Sequence, residues 1–233
     1  MCGRFVAATP VEELAEYFGA SAPAEPVPAQ YNIAPSADVE VVVGDAQGSR
    51  HIELYRWGLV PVWAKDLNVG NRMINARSET AAEKNSFKSS LSKKRCIVPA
   101  DGFYEWAAVA GRKAKQPYFI RRADGAPLAF AGLWAQWKGQ LAGEDVVVRS
   151  CTILTTSANE TMAPVHDRMP VILEPTDFAT WLDPAITDAA AVAPLMVPAE
   201  TGVLTMHPVS TEVNNARNKG AHLIDPVELT EGA

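Results

Sequence analysis

The feature that most constrains this chain is its strand pattern. Short apolar or alternating runs recur along it, separated by turn signals, without the regular strand–helix–strand alternation that a parallel sheet requires. Val39 to Val43 and Ile52 to Trp57 read as strands joined by the turn Gly-Asp-Ala-Gln-Gly-Ser. Arg95 to Val98, Gly102 to Trp106, Pro170 to Leu173 and Leu204 to Val209 read as further short strands, and Val146 to Thr155 as the longest. Pro117 to Arg121 and Leu128 to Leu133, with Asp124-Gly125 between them, read as a hairpin. The helical segments are brief. Thr9-Pro10-Val11-Glu12 has the form of a capping box with proline at the first helical position, and Gly19 is a stop, so a helix is expected over Pro10 to Phe18. Ser78 to Lys84, Ser86 to Leu91 and Thr176 to Leu182 have helical character, and Ser157-Ala158-Asn159-Glu160 has the form of a second capping box. Ala20 to Gln30, rich in Ala and Pro, reads as an extended surface connection. The class these elements predict is α+β: one domain around a mainly antiparallel sheet or barrel, covering 1–226, with 227–233 as a frayed tail.

The chain's 233 residues, 48% hydrophobic and 21% charged, suit one large globular domain. No stretch approaches the roughly 20 apolar residues needed to span a bilayer, and no basic-then-apolar leader opens the chain. Cys2, Cys96 and Cys151 are far apart, and no Cys-x-x-Cys or His-Glu-x-x-His motif suggests a metal site. No metal or other cofactor is expected, and an odd cysteine count fits a reducing cytoplasm. The net charge of −6 argues against generic nucleic-acid binding. Between Arg56 and Arg95, however, nine basic residues stand against three acidic ones. A basic segment on an acidic protein is compatible with a phosphate-lined groove. The run Lys93-Lys94-Arg95 taken alone reads as solvated surface.

The chain begins Met1-Cys2-Gly3-Arg4-Phe5. Once Met1 is removed, Cys2 carries an α-amine and a thiol on one residue. The amine can condense with an aldehyde to an imine, and the thiol can then close a five-membered thiazolidine ring with the effective molarity of pre-positioned groups. The α-amine, with a reference pKa of roughly 7.7–8, is a usable base near neutrality. A neighbouring α-ammonium is expected to make the thiol more acidic, with the two titrations coupled. While Met1 remains, the amine is blocked.

Three other stretches combine polar groups in ways a plain core does not require. Asn75-Ala76-Arg77-Ser78-Glu79 sets an amide and a guanidinium at an expected strand-to-helix junction. Glu105 stands among Phe103, Tyr104 and Trp106, where desolvation raises a carboxyl pKa and suits it to proton transfer. Its bland alternative is a surface residue on an edge strand. His166-Asp167-Arg168 places imidazole, carboxylate and guanidinium just before a strand, where His166 could serve as general acid–base or belong to a polar turn. His51, His207 and His222 have no comparable setting.

Taken together and in order, several motifs resemble one family. They are Met1-Cys2-Gly3-Arg4-Phe5, Tyr31-Asn32-Ile33-Ala34-Pro35, Arg56-Trp57-Gly58-Leu59-Val60-Pro61 and Asn75-Ala76-Arg77-Ser78-Glu79-Thr80. Pro99-Ala100-Asp101-Gly102-Phe103-Tyr104-Glu105-Trp106, Ala131-Gly132-Leu133-Trp134, His166-Asp167-Arg168-Met169-Pro170 and His207-Pro208-Val209-Ser210 complete the set. Each motif is weak alone; the ordered set resembles the SOS response-associated peptidase (SRAP) family of abasic-site-processing proteins. The resemblance implies that Cys2 attacks the ring-opened aldehyde of an abasic site in single-stranded DNA and forms a covalent thiazolidine crosslink. It further implies that Asn75 positions the N-terminal residue or the sugar, and that Glu105 and His166 move protons. Arg4, Arg77 and Arg168 would hold phosphates flanking the lesion without reading sequence. Trp63 and Pro35 would stack against bases. The word peptidase is read as removal of Met1 and not as general proteolysis. A cytoplasmic monomer is expected. Ala107 to Lys115 and Gly139 to Asp145 read as variable loops.

Two other function classes share part of the signal. Class II glutamine amidotransferases also begin Met-Cys-Gly, but their hydrolysis needs an oxyanion hole and a glutamine pocket, and no later motif of that group is found. A non-catalytic single-stranded DNA-binding module would use the same basic segment and aromatics with Cys2 incidental.

Overall fold

The computed structural model describes residues 2–25, 27–109 and 114–229. Among these, twelve strands are formed. They are β1 (Phe5–Ala7), β2 (Gln30–Ile33), β3 (Asp38–Gly44), β4 (Arg50–Trp57), β5 (Asn75–Arg77) and β6 (Arg95–Ala100), then β7 (Gly102–Ala107), β8 (Gln116–Arg122), β9 (Leu128–Leu141), β10 (Glu144–Ser157), β11 (Arg168–Pro170) and β12 (Leu204–Pro208). One sheet has the order β12-β8-β7-β1-β2. The other runs β11-β10-β4-β3-β6-β9, and pairing of β9 with β10 closes β10, β4, β3, β6 and β9 into a barrel. The expected α+β class with mainly antiparallel strands is what forms. The parallel pairs are β10 with β4 and β10 with β5.

Alternation along the strands divides the apolar residues into two layers. Val39, Val41 and Val43 pack with Tyr55, Trp57, Val98, Phe130 and Ile153 in a cluster that also takes in Cys2, Phe5 and Phe103. Val42, Ile52, Ile97 and Leu133 face the opposite way. They are covered by Leu14 and Phe18 of helix α1 (Val11–Phe18), Leu91 of a helix over Lys88–Lys93, and Trp181 of a helix over Phe178–Leu182. The first cluster therefore joins the barrel to the second sheet, and Cys2 lies within it.

Several local expectations are corrected. Pro117 to Leu133 is not a hairpin. β8 pairs with β7 and β12, β9 pairs with β6 and β10, and the turn at Asp124-Gly125 carries the chain from one sheet to the other. Both strands have their edges filled by other partners, and these longer ladders outweigh the local turn signal. The capping box at Thr9 does not form. Pro10 is the N-cap without a side-chain bond, and the Thr9 hydroxyl donates instead to Asp101 Oδ1. Asp101 Oδ2 also accepts from Ala8 N (2.5 Å) and Thr9 N (3.1 Å), so the β6–β7 turn fixes the chain entering α1. Gly19 ends the helix in the left-handed region as expected, with φ 59°. Ser157 closes β10, and Asn159 caps only a turn, its Oδ1 accepting from Met162 N at 3.0 Å. Helices over Ser78–Ala81 and Lys88–Lys93 stand where longer or earlier ones were expected. Gly139 to Asp145 is the tip of the β9–β10 ribbon, turned by Ala142 and Gly143 at positive φ. Of Ala107 to Lys115, residues 110–113 lie outside the described residues, as do 230–233 of the tail. The tail is paired through Val227, whose N–H donates to Pro208 O at 3.0 Å. Among the described residues no helix is long and apolar enough to cross a membrane.

Candidate active site

β1 carries Cys2 into the junction between the two sheets. Cys2 is fully buried, and its thiol points at Arg4 O, 4.0 Å away. Burial first, and then the negative charge of Glu105, push the thiol pKa well above its ordinary value. The N-terminal charge does act to lower the thiol pKa, as expected, but while Met1 remains it is outweighed by burial and by Glu105.

Asn75 opens β5, a three-residue strand paired in parallel with β10 at Ile153. Its Nδ2 donates to Cys2 O at 2.7 Å. Its Oδ1 is buried and has no hydrogen-bond partner among the described residues. A buried acceptor left open beside Cys2 is costly unless something donates to it. Glu105 lies on β7, 4% exposed, close enough to Cys2 for its charge to act on the thiol. β7 is held against the N-terminal strand by Tyr104, whose N–H donates to Arg4 O at 2.9 Å and whose hydroxyl donates to Tyr31 O at 2.8 Å. Cys2, Asn75 and Glu105, separated by dozens of residues in sequence, therefore meet at one point.

His166 stands in the turn before β11, its side chain partly exposed. Nδ1 accepts from Arg168 N at 2.9 Å and lies 2.8 Å from Asp167 Oδ1. The two contacts ask for opposite states of Nδ1. The backbone donor is fixed, whereas Asp167 is 87% exposed and water-screened, so the backbone contact is the better defined of the two. Arg168 makes a two-pronged ion pair with Glu79 (2.6 and 2.9 Å) and donates to Thr155 O at 2.6 Å. The Arg168 hydrogen bonds hold the Glu79 carboxyl below the usual range. Arg77 is exposed beside this pair. Arg4 is half-buried and donates to Asn32 Oδ1 (2.8 Å), Val213 O (2.9 Å) and Asn214 O (3.4 Å), so its guanidinium ties the C-terminal segment to the N-terminal strand. Trp63 is 58% exposed, and Pro35 is half-buried on another loop.

The basic segment does not act as one surface. Lys65, Arg72, Arg77, Lys84 and Lys88 are exposed, but Arg95 is buried and donates to Leu91 O, Ser92 O, Trp181 O and Asp183 O at two helix ends. The solvated reading of Lys93-Lys94-Arg95 fails at Arg95. The sequence reading also missed Asn32. This fully buried amide donates to Val213 O, Asn215 O and Asn218 O while accepting from Arg4. Its only signal was a place inside the Tyr31–Pro35 motif.

The model of the family described as SOS response associated peptidase (SRAP) matches residues 1–216. The chain belongs to the SRAP family. It is 40% identical to the abasic site processing protein YoqW of Bacillus subtilis over 97% of this chain and 99% of that protein. It is 34% identical to the abasic site processing protein YedK of Escherichia coli over 97% and 100%. A crystal structure of a protein from Bacteroides thetaiotaomicron shares the fold with a TM-score of 0.85 at 22% identity, covering 97% of this chain and all of that one. A second, from Bordetella bronchiseptica, has a TM-score of 0.75 at 30% identity, covering 90% and 100%. The SRAP match includes Cys2, Asn75, Glu105 and His166. It ends before Leu223, which is nonetheless fully buried in one cluster with Val6 and Tyr104.

Proposed function

We propose that this protein processes abasic sites in single-stranded DNA by forming a thiazolidine crosslink through Cys2 after Met1 is removed. The relatives' names support the lesion. The chemistry rests chiefly on Asn75, whose Nδ2 holds the Cys2 carbonyl while its buried Oδ1 stays open for an N–H of the same residue. An amide fixed in that way would orient an α-amine toward an incoming aldehyde.

The amine adds to the aldehyde carbon, and loss of one water gives the imine. The thiol sulfur then bonds to the imine carbon, and its proton ends on nitrogen. In this order the amine attacks first, so the thiol need not be ionised at the outset. Glu105, buried beside Cys2, is assigned to move protons during carbinolamine collapse, and His166 to serve the sugar oxygen and reversal. Arg4, Arg77 and Arg168 are assigned to flanking phosphates, and Trp63 and Pro35 to stacking. Arg168 would do so as a guanidinium already oriented by Glu79. The reading takes the protein as a cytoplasmic monomer that removes its own Met1.

Intact-mass measurement after mixing with an abasic single strand tests the proposal. The expected species is protein lacking Met1 plus oligonucleotide less one water, absent for Cys2→Ala and for an intact strand. No adduct surviving denaturation, or an equal adduct with Cys2→Ala, overturns it. Ammonia release from glutamine would instead favour amidotransferase chemistry.

A further inference from the structure

The motif Arg56-Trp57-Gly58 has no part in the chemistry above, yet its three residues bond in three directions. Arg56, at the end of β4, donates from Nη1 to Ser36 O at 3.0 Å and from Nη2 to Asn71 Oδ1 at 3.3 Å. The Ser36 hydroxyl donates to the same Asn71 oxygen at 2.8 Å. Ser36 and Asn71 lie on different loops. One loop carries Pro35; the other runs from Trp63 through the 3-10 turn Leu67–Arg72. Ser36 is held at φ 76°, a conformation that a residue with a side chain adopts at a cost of order 1 kcal/mol or more, and only when its surroundings impose it. Its N–H donates to Trp57 O, and Trp57 N donates to Ala37 O, each at 2.8 Å. Trp57 Nε1 then reaches Ile74 O at 3.0 Å, one residue before Asn75. Gly58 lies so close to Gly70 that a Cβ on Gly58 would come within 2.6 Å of Gly70 O.

We propose that Arg56 is a positioning residue that clamps the Pro35–Ser36 and Leu67–Arg72 loops together at a fixed distance from Cys2, so that the two walls meeting the DNA strand are set before it binds. This rests on the single-strand reading above. The guanidinium is suited to the task because its planar fork serves two acceptors on separate loops, which a lysine ammonium on a flexible stem cannot hold in one geometry. The clamp is separate from the link to chemistry. Trp57 fixes Ile74, and Asn75 fixes Cys2, without using the Arg56 side chain. Loss of Arg56 should therefore weaken strand capture far more than the crosslinking step once DNA is bound.

Crosslinking rate against concentration of abasic single strand, for Met1-processed wild type, Arg56→Ala, Arg56→Lys and Asn71→Ala, tests this. Losing hydrogen bonds to a charged donor is expected to raise the half-saturating DNA concentration about tenfold in Arg56→Ala. The saturating rate should change far less. Arg56→Lys should recover part of the loss, and Asn71→Ala should move in the same direction as Arg56→Ala. The salt dependence of binding is the second readout. A residue that positions loops leaves the slope of log affinity against log salt unchanged, whereas a direct phosphate contact lowers it by about one unit. The proposal is overturned by an unchanged half-saturation, by equal falls in both parameters, or by a reduced salt slope. Failure of wild type to crosslink at all would sink the function reading instead, a distinct result.

Discussion

Asn75 Nδ2 donates to the backbone oxygen of Cys2 at 2.7 Å, joining a three-residue strand on the barrel to the first residues of the chain. The bond crosses between the two sheets, so it positions Cys2 only when both are assembled. Asn75→Ala leaves the Cys2 carbonyl unpaired and removes the open Oδ1. An unmade buried hydrogen bond costs about 1–3 kcal/mol. The saturating crosslinking rate is expected to fall about tenfold or more, with the fold retained by circular dichroism. An unchanged rate would remove Asn75 from the site.

The neutrality of Cys2 gives a pH prediction. Burial is the larger cause of its raised pKa and Glu105 the second. Glu105→Gln removes one cause and leaves the other, so the thiol pKa should come down without reaching its ordinary value. The pH profile for alkylation of Cys2 by a small thiol reagent is then expected to move to lower pH in Glu105→Gln. Coincident profiles for wild type and variant would show that the Glu105 charge does not reach the thiol.

Much of the architecture was legible in the sequence because binary pattern and turn chemistry agree over β3, β4, β6, β7 and β10. The failures have a common physical origin. The turn at Asp124-Gly125 is locally a hairpin turn, but which strand a segment pairs with is a long-range choice, and both flanking strands found longer ladders elsewhere. Thr9 has the chemistry of a cap, yet the Asp101 carboxylate, distant in sequence, holds its N–H and hydroxyl together with Ala8 N, and the N-cap position falls to Pro10. Cys2, Asn75 and Glu105, which meet at the site, stood out as residue types in unusual settings, as did His166. The direction of the thiol shift did not, because it depends on how deeply Cys2 is buried. Asn32 and Arg56 were hidden for a similar reason: their work is to join segments that sequence spacing does not relate.

Gly58 should be intolerant of any side chain. Its φ is 117°, and an added Cβ would press on the backbone oxygen of Gly70, which cannot swing aside. Gly58→Ala combines left-handed strain with overpacking, each costing about 1–3 kcal/mol. Urea unfolding should show a lower midpoint with an unchanged slope. A midpoint equal to wild type would contradict the close approach of these loops.

Asp101 is expected to be a stability residue despite its place in the Asp101–Trp106 motif. It receives Ala8 N, Thr9 N and the Thr9 hydroxyl, which together fix the path from β1 into α1. Asp101→Ala should lower stability by about 3 kcal/mol, as bonds to a charged acceptor are worth about 1.5–3 kcal/mol. Thr9→Val, which loses only the hydroxyl bond, should cost less. Equal stability of Asp101→Ala and wild type in urea would refute this role.

Glu40 makes the same region pH-sensitive. It is 5% exposed on β3, and burial first, then the charge of Asp101, raise its pKa from 4.5 to about 7. A carboxyl that binds its proton more tightly when folded contributes stability that is fully present below the unfolded value, near 4.5, and is lost as pH rises through about 7. The protein should therefore lose Tm between pH 5 and pH 8. Glu40→Gln, which stays neutral, should lose less over the same range, by about 2–4 °C for each kcal/mol of the Glu40 contribution. Asp101→Asn, which removes the second cause, should shift the Glu40 transition to lower pH without abolishing it. Melting curves across that range decide the matter: parallel pH profiles for wild type and Glu40→Gln would mean that Glu40 carries no linked proton.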